Sequence, residues 1–457
     1  MYEDLKGANK KKIGILLIIV LIFCIFLLII NFVNCSINVL ETWEEREERI
    51  AIERNEFFMS LTREQILEDF DYMMQILEEN YPLFELVYRV CGVDMFENAS
   101  GLRVKLADET VELGLDVFLQ MMRDGLFEPV GFRGHLQIIN RDYYLSRLGD
   151  ALNMPDYPWL KFSYNLFTLH PAVNFYGEVD EDDIDAARNR YRRQPGFVNV
   201  VVDIIEEGRI GYMRVNRMLG VGSADIVTVR PFYNQLAGYE HLIIDIRDNP
   251  GGDVHGFLQL VTSAHIENIV TVSSFNFIRG GELNIEFMDT VHPGRRNSFE
   301  IVNDGQFIRG GGSSTLNFVN TNMNLDEISS FDYAMRHTQT LFPLQLPNLQ
   351  MTDFDGQIWL LINEGSVSAA EQIASLYKNQ NLAILVGNTT RGVVGNPGLY
   401  PVYFMLPNSG AIVRYDIAYT IDSSGRPLEE GISPHIFNRP GMDALETVLA
   451  LIQEGAY

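Results

Sequence analysis

Residues 358–387 read "IWLLINEGSVSAAEQIASLYKNQNLAILVG". An apolar branched run, Ile358 to Ile362, gives way to small residues between Gly365 and Ala370. A segment of helical character follows, "AEQIASLYKN", and then a second apolar run, "LAILVG" (382–387). Short apolar runs separated by a helix are the pattern of buried strands joined by a crossover. Two earlier runs extend it, "RIGYMRV" (209–215) and "HLIIDIR" (241–247). The fold class expected is therefore α/β (α+β), a parallel or mixed sheet covered by helices. Ligands of such sheets bind where strands end in loops, and two loops stand out there: "DNPGGD" after the 241–247 run and "EGSVSA" after the 358–362 run.

Two serines among small residues at a strand-to-helix turn allow a structural reading, since small residues fit turns and serines cap helices. They also allow a chemical one. A serine at the first turn of a helix lies where backbone N–H groups converge and developing negative charge is favoured. Ser368 would present the hydroxyl, and the next N–H, on Ala369, would face the oxyanion. Gly251 or Gly252 would add a second donor, because a residue without Cβ allows close backbone approach.

The rest of the 457-residue chain bounds the reading. Thirty-five basic against 61 acidic residues give a net charge of −26, which argues against a nucleic-acid partner. Lys6, Lys10, Lys11 and Lys12 precede the uncharged run "IGILLIIVLIFCIFLLII" (13–30), which as a helix would rise roughly 27 Å. This predicts an anchor over 13–35 with a cytoplasmic tail of residues 1–12, a single-pass cell-membrane protein whose catalytic part is extracytoplasmic. Residues 36–59 include "ETWEEREERIAIERNE" and read as a charged spacer. From Leu61, "LTREQILEDFDYMMQILEENYP" has a capping box at Thr62 and Gln65 and helical apolar spacing, opening a helical subdomain over 60–160. A linker is expected over 161–196, the main domain over 197–440 with an insertion near 275–350, and a C-terminal helix over 441–457. Cys24, Cys35 and Cys91 offer no disulfide framework to the part beyond the anchor, and the scattered histidines show no metal-ligand spacing. No cofactor is expected. Two copies of "FIRGG", at 277–281 and 307–311, lack the Gly-Lys-Ser/Thr of a phosphate loop and read as turns.

"HLIIDIRDNPGG", "NEGSVSAAEQIASLYKNQNLAILVGNTTRG", "LPNSG" and "GRPLEEGISPH" occur in the order found in the C-terminal-processing serine peptidases, the family of the tail-specific proteases and the tricorn core, which this chain resembles over most of residues 60–440. The resemblance implies a ClpP/crotonase-like core, a peptide or protein substrate, and Ser368 as nucleophile, with Ser366 structural and Arg247, Asp248 and Asn249 shaping their loop. Where tail-specific members carry a lysine after Thr-x-Gly, this chain has Val393, which excludes a Ser-Lys dyad at that position. The tricorn-like branch uses a histidine in a Gly-His context and a glutamate before the last Gly-Ile motif. That assigns His135 of "GFRGHLQII" as general base, with His170 as rival, and Glu429 of "GRPLEEGISP" as the group orienting it, with Glu430 adjacent. No peptide-binding PDZ module is found between 160 and 200. A member that has lost catalysis and only binds peptides is the alternative, and reaction of Ser368 with a serine probe separates the two.

Overall fold

Each residue of "HLIID" and of "IWLLI" is buried, yet alternate ones serve different cores. Leu242 and Ile244 on strand β4 (His241–Asp245), and Ile358, Leu360 and Ile362 on β9 (Gln357–Ile362), join one cluster. Ile243, Trp359 and Leu361 point the other way and join a second. Side chains alternate across a strand, so two opposite cores mean a sheet covered on both faces. Full burial of each such side chain is worth about 1.5–3 kcal/mol.

In this computed structural model the described residues are 43–192, 197–220, 222–294, 300–303, 306–307, 330–343 and 354–456. The expected anchor over 13–35 lies outside them, and so does the second "FIRGG" beyond Phe307. Among the described residues no helix is long and apolar enough to cross a membrane. The chain divides into two compact units, residues 1–56 and 57–457. The described part of the first is the start of helix α1 (Trp43–Met59), whose charged surface carries an i,i+4 pair, Arg49 with Glu53 at 3.0 Å.

The second unit opens with helices α2 (Arg63–Asn80), α3 (Phe84–Cys91), α4 (Met95–Ala107) and α5 (Leu115–Met122). The capping box expected at Thr62 and Gln65 is present, and Ile66, Phe70, Met73 and Leu77 form the buried stripe. A short strand, β1 (Gln137–Ile138), follows, and helices α6 (Arg141–Asn153), α7 (Pro158–Phe167), α8 (His170–Tyr176) and α9 (Glu181–Arg192) carry the helical region beyond residue 160.

The central sheet has six strands in the order β14-β10-β9-β4-β3-β2, with β2 (Val200–Glu206), β3 (Ile210–Val215), β10 (Ile384–Gly387) and β14 (Ile436–Phe437). All neighbours are parallel except the β2–β3 hairpin, so the sheet is mixed. Helix α10 (Ser223–Gln235) joins β3 to β4. Two short helices, α11 (Val254–Phe257) and α12 (Ser263–His265), follow β4. Beyond them come β5 (Val270–Ile278), α13 (Glu282–Val291), β6 (Glu300–Asn303), β7 (Gln306–Phe307) and β8 (Tyr333–Leu341). Helix α14 (Ala369–Asn379) joins β9 to β10, and α15 (Ala444–Gln453) places Ala444, Val448, Leu451 and Ile452 in the second core.

Two antiparallel sheets complete the unit. β11 (Val402–Met405) and β12 (Ile412–Tyr415) pair with β1, and β13 (Ala418–Ile421) edges the sheet β13-β5-β8-β6-β7. Their apolar faces share one core with the N-terminal helices, including Tyr81, Phe277, Tyr415 and Tyr419. This shared core packs the early helical part of the chain against the two antiparallel sheets.

Candidate active site

Ser366 and Ser368 separate cleanly by environment. The Ser366 hydroxyl is fully buried, donates to the carbonyl of Ile246 (2.8 Å) and accepts from the Asn363 amide (3.1 Å), tying the exit of β9 to that of β4. Ser368 stands at the mouth of α14 with φ 59° and ψ −119°. A non-glycine residue in such a conformation costs about 1–3 kcal/mol and needs neighbours that over-determine it. Its amide donates to the Val393 carbonyl (2.8 Å) and to Glu371 Oε2 (3.1 Å). The same buried carboxylate accepts from Thr390 Oγ1 (2.6 Å) and the amides of Gly392 (2.7 Å) and Val393 (2.9 Å). Burial pushes its carboxyl pKa up despite these bonds. Glu371 thus fastens Ser368 and the 390–393 turn together, which explains the acid three positions after the serine.

The loop after β4 closes on the same point. Asn249 Nδ2 donates to the Val215 carbonyl (2.8 Å), its Oδ1 accepts from the Gly251 amide (2.9 Å), and its carbonyl accepts from Val367 (2.9 Å). Arg247 pairs with buried Asp245 at 2.7 Å, and the Asp248 amide donates to Asn363 Oδ1 (2.9 Å). All three loop residues hold architecture, as expected. Gly251 has φ 86°, and a Cβ there would lie 2.7 Å from the Ser368 Cβ and 2.9 Å from the Ala369 nitrogen. Its amide is already taken by Asn249. The amides of Gly252 and Ala369 donate to no protein acceptor among the described residues.

His135 arrives on a tight turn, Arg133–His135, preceded by Phe132; Phe132, Gly134 and His135 all have positive φ (55°, 61° and 51°). A Cβ on Gly134 would meet Leu83 at 2.9 Å and Tyr81 at 3.2 Å, so the Gly-His pairing has a steric cause. The turn is anchored by Tyr81, whose hydroxyl donates to the Arg133 carbonyl (2.8 Å), and by Arg133 Nε donating to the Glu429 carbonyl (3.1 Å). The His135 ring reaches the 390–395 segment: a Cβ on Gly395 would lie 3.4 Å from its Cε1. Among the described residues the ring makes no hydrogen bond to Ser368. His170 is exposed at the start of α8, where its Nδ1 meets Asn174 Nδ2 (3.2 Å), and contributes nothing here.

The carboxylate on the imidazole is not Glu429. Asp416 Oδ2 lies 2.7 Å from His135 Nδ1, and the Asp416 amide donates to the Gly134 carbonyl (2.7 Å). Burial works to raise the Asp416 pKa, but the adjoining imidazole and Arg414 prevail and hold it below the usual carboxylate range. Glu429, 1% exposed, instead accepts from the amides of Val394 (3.1 Å), Gly395 (3.2 Å) and Gly134 (3.4 Å). Burial first, then the charges of Asp416 and Glu371, push its pKa up to about 8. It is a backbone clamp joining the histidine turn to the segment bound to Ser368. Glu430 points elsewhere and pairs with Arg89. The sequence carries one signal for Asp416: it is the one acid in the apolar stretch "AIVRYDIAYTI" (411–421), and acids are rarely buried unless paired.

Carboxylates whose environments drive their pKa values apart separate roles: Asp416 stays ionised against the imidazole, and Glu429 stays protonated near neutrality. No group of metal-ligating side chains occurs among the described residues.

The model of "Peptidase family S41" matches residues 209–437, half of the chain. No curated protein matches. Among solved structures, a putative peptidase from Parabacteroides merdae is 17% identical, with 85% of this chain and 95% of that one covered, at a TM-score of 0.49. Mature CPAF complexed with lactacystin is 14% identical over 83% and 94%, also at 0.49. The tricorn protease is 17% identical over 55% of this chain and 18% of its own, at 0.27. With strands β3 to β14 and both strand-exit loops inside the matched region, the chain belongs to peptidase family S41 and is a serine-type peptidase.

Proposed function

We propose that Ser368 attacks a peptide carbonyl with His135 as general base and Asp416 as the carboxylate that fixes the imidazole. The observation that carries this is the 2.7 Å contact between His135 Nδ1 and Asp416 Oδ2, which directs Nε2 away from the carboxylate and frees it to take a proton. Ser368 and His135 are both tied to the 390–395 segment, and their contact forms when bound substrate draws the site together, since catalytic hydrogen bonds often tighten only in the complex. The amides of Gly252 and Ala369 hold the oxyanion. The imidazolium then protonates the leaving amine, and water activated by His135 hydrolyses the acyl-enzyme. Glu429 is assigned as a positioning residue in place of the orienting role expected for it.

The finer features of the fold belong to the same proposal: a ClpP/crotonase-like core, and an anchor over residues 13–35 that leaves the peptidase extracytoplasmic. The lysines before that run and its lack of charge support the anchor. The test is a fluorophosphonate serine probe with mass-spectrometric site mapping. Labelling falls on Ser368 and is lost in Ser368→Ala and His135→Ala. Well-folded wild type that is never labelled and hydrolyses no peptide refutes the assignment and favours a protein that only binds.

A further inference from the structure

The central sheet ends in two unlike edges. β14 has two residues, too few to template a further strand. β2 has seven, Val200–Glu206, with no proline or lysine, and among the described residues no strand lies on its outer side. Edge strands of soluble proteins are normally shortened, covered or kinked against such pairing. The irregularity here, a bulge between Ile204 and Glu206, comes at the far end. Val200, Val202 and Ile204 pack into the first core. Val201 and Asp203 turn to the opposite face, beside Arg214 and Tyr212, where the second core stops short of β2. Val201 is 41% exposed, Ile205 37%, and Val198, just before the strand, 56%. The backbone decides which polar groups this edge offers. The Asn216 amide donates to the Asn199 carbonyl (2.9 Å), so Asn199, Val201 and Asp203 direct their N–H and C=O groups at β3. Val200, Val202 and Ile204 direct theirs outward. The outward Ile204 amide is taken by Asp203 Oδ1 (2.8 Å), which leaves the amides and carbonyls of Val200 and Val202 on offer.

We infer that β2 pairs antiparallel with β2 of a second copy of this chain, about a two-fold axis at Val201, joining two central sheets into one. This register sets Val200 against the partner's Val202 and Val202 against the partner's Val200, so the groups on offer satisfy one another. On the bare face Val201 meets the partner's Val201, and Asn199 meets the partner's Asp203, an amide beside a carboxylate. An axis at Val202 would set Val200 against the partner's Ile204, whose amide is occupied. An axis at Asp203 would set two carboxylates directly opposite each other, which destabilises a strand pair. Charge along the sequence favours the antiparallel sense: Arg190, Arg192 and Arg193 lead into β2, and Glu206 and Glu207 lead out of it. Antiparallel self-pairing matches the basic approach of one copy with the acidic exit of the other, whereas parallel pairing sets like against like. The two-fold also closes the assembly, because each copy spends its long edge on the other and none is left for further growth.

The test is made on the full chain in mild detergent. Light scattering is expected to report a dimer. In a background with Cys24, Cys35 and Cys91 changed to serine, Val201→Cys is expected to cross-link on mild oxidation. A non-hydrogen-bonded antiparallel pair holds its Cα atoms about 4.5 Å apart, within disulfide reach. Asp203→Cys, whose two copies stand well apart in this register, is expected not to cross-link. Val202→Pro removes the outward donor from both copies without touching the β3 ladder, since that amide points away from β3. It is expected to weaken the dimer about tenfold or more while circular dichroism and a cooperative melt stay those of a folded protein. Wild type that is monomeric at every concentration overturns the inference and means that this edge is solvated or covered within the chain. So does a dimer that Val202→Pro leaves equally tight, which places the contact elsewhere. Cross-linking that fails at Val201→Cys, or that occurs at Asp203→Cys instead, overturns the register. If Val202→Pro does not fold, the two cysteine variants decide the matter alone.

Discussion

Asp416→Asn is the sharpest perturbation of the proposed chemistry. The substitution keeps side-chain size, and asparagine can still meet His135 Nδ1, but it removes the negative charge facing the imidazolium that forms during attack. At the observed 2.7 Å and an effective dielectric of about 20, that charge is worth about 6 kcal/mol gross. Burial of the carboxylate subtracts from this, and asparagine donating to Nδ1 favours the wrong tautomer. A net loss of about 3–5 kcal/mol in the transition state follows, which at about 1.4 kcal/mol per decade is roughly 10²–10⁴-fold in kcat/KM. The assay is peptide hydrolysis beside the rate of serine-probe labelling, on wild type and variant, with a thermal melt to show that folding persists. Both rates should fall together. A folded D416N enzyme within threefold of wild type would refute the assigned role, and a large loss in Glu429→Gln with none in D416N would return the orienting function to Glu429.

Glu429 has an ordinary pKa of 4.5 that the folded site raises to about 8, so the unfolded chain loses the proton first and folding is penalised increasingly as pH rises through that window. Glu429→Gln, which mimics the protonated form, should leave stability at acid pH nearly unchanged and raise the melting temperature near pH 8. An unaltered difference between variant and wild type across that range in calorimetric melts counts against a buried neutral acid. His265 behaves in the opposite sense: burial lowers its pKa from 6.5 to about 4, so stability falls as pH drops through that interval. In His265→Phe, urea midpoints measured along an acid series should lose that dependence. Gly251→Ala forces a Cβ to 2.7 Å from the Ser368 Cβ at φ 86°, which predicts a destabilisation of about 1–3 kcal/mol and a loss of probe labelling of at least tenfold. Wild-type labelling in that variant would mean the glycine loop does not press on Ser368.

The strands at 209–215, 241–247, 358–362 and 382–387 were legible because burial on both faces demands unbroken apolar runs, and a helix between two of them leaves little topological choice. The division between Ser366 and Ser368 was legible through the resemblance and matches their environments. The motif marks Glu429 but not what it bonds: a carboxylate near a histidine in a motif carries no record of whether it faces an imidazole or, as here, backbone amides. Which of the Gly251 and Gly252 amides is left unpaired depended on the side chain of Asn249, which takes that of Gly251.

By itself the sequence determined the sheet, its covering helices and the strand-end turn that presents a hydroxyl, since each follows from local periodicity and from residue types that local backbone geometry requires. The partnership of His135 with Asp416 was decided only in three dimensions. β1 pairs antiparallel with β12 so that Gln137 faces Arg414 and Ile138 faces Val413. Continuing that register brings residue 135 opposite residue 416. Pairing register between segments so distant in sequence is set by packing of the shared core, and no local pattern in either segment encodes it.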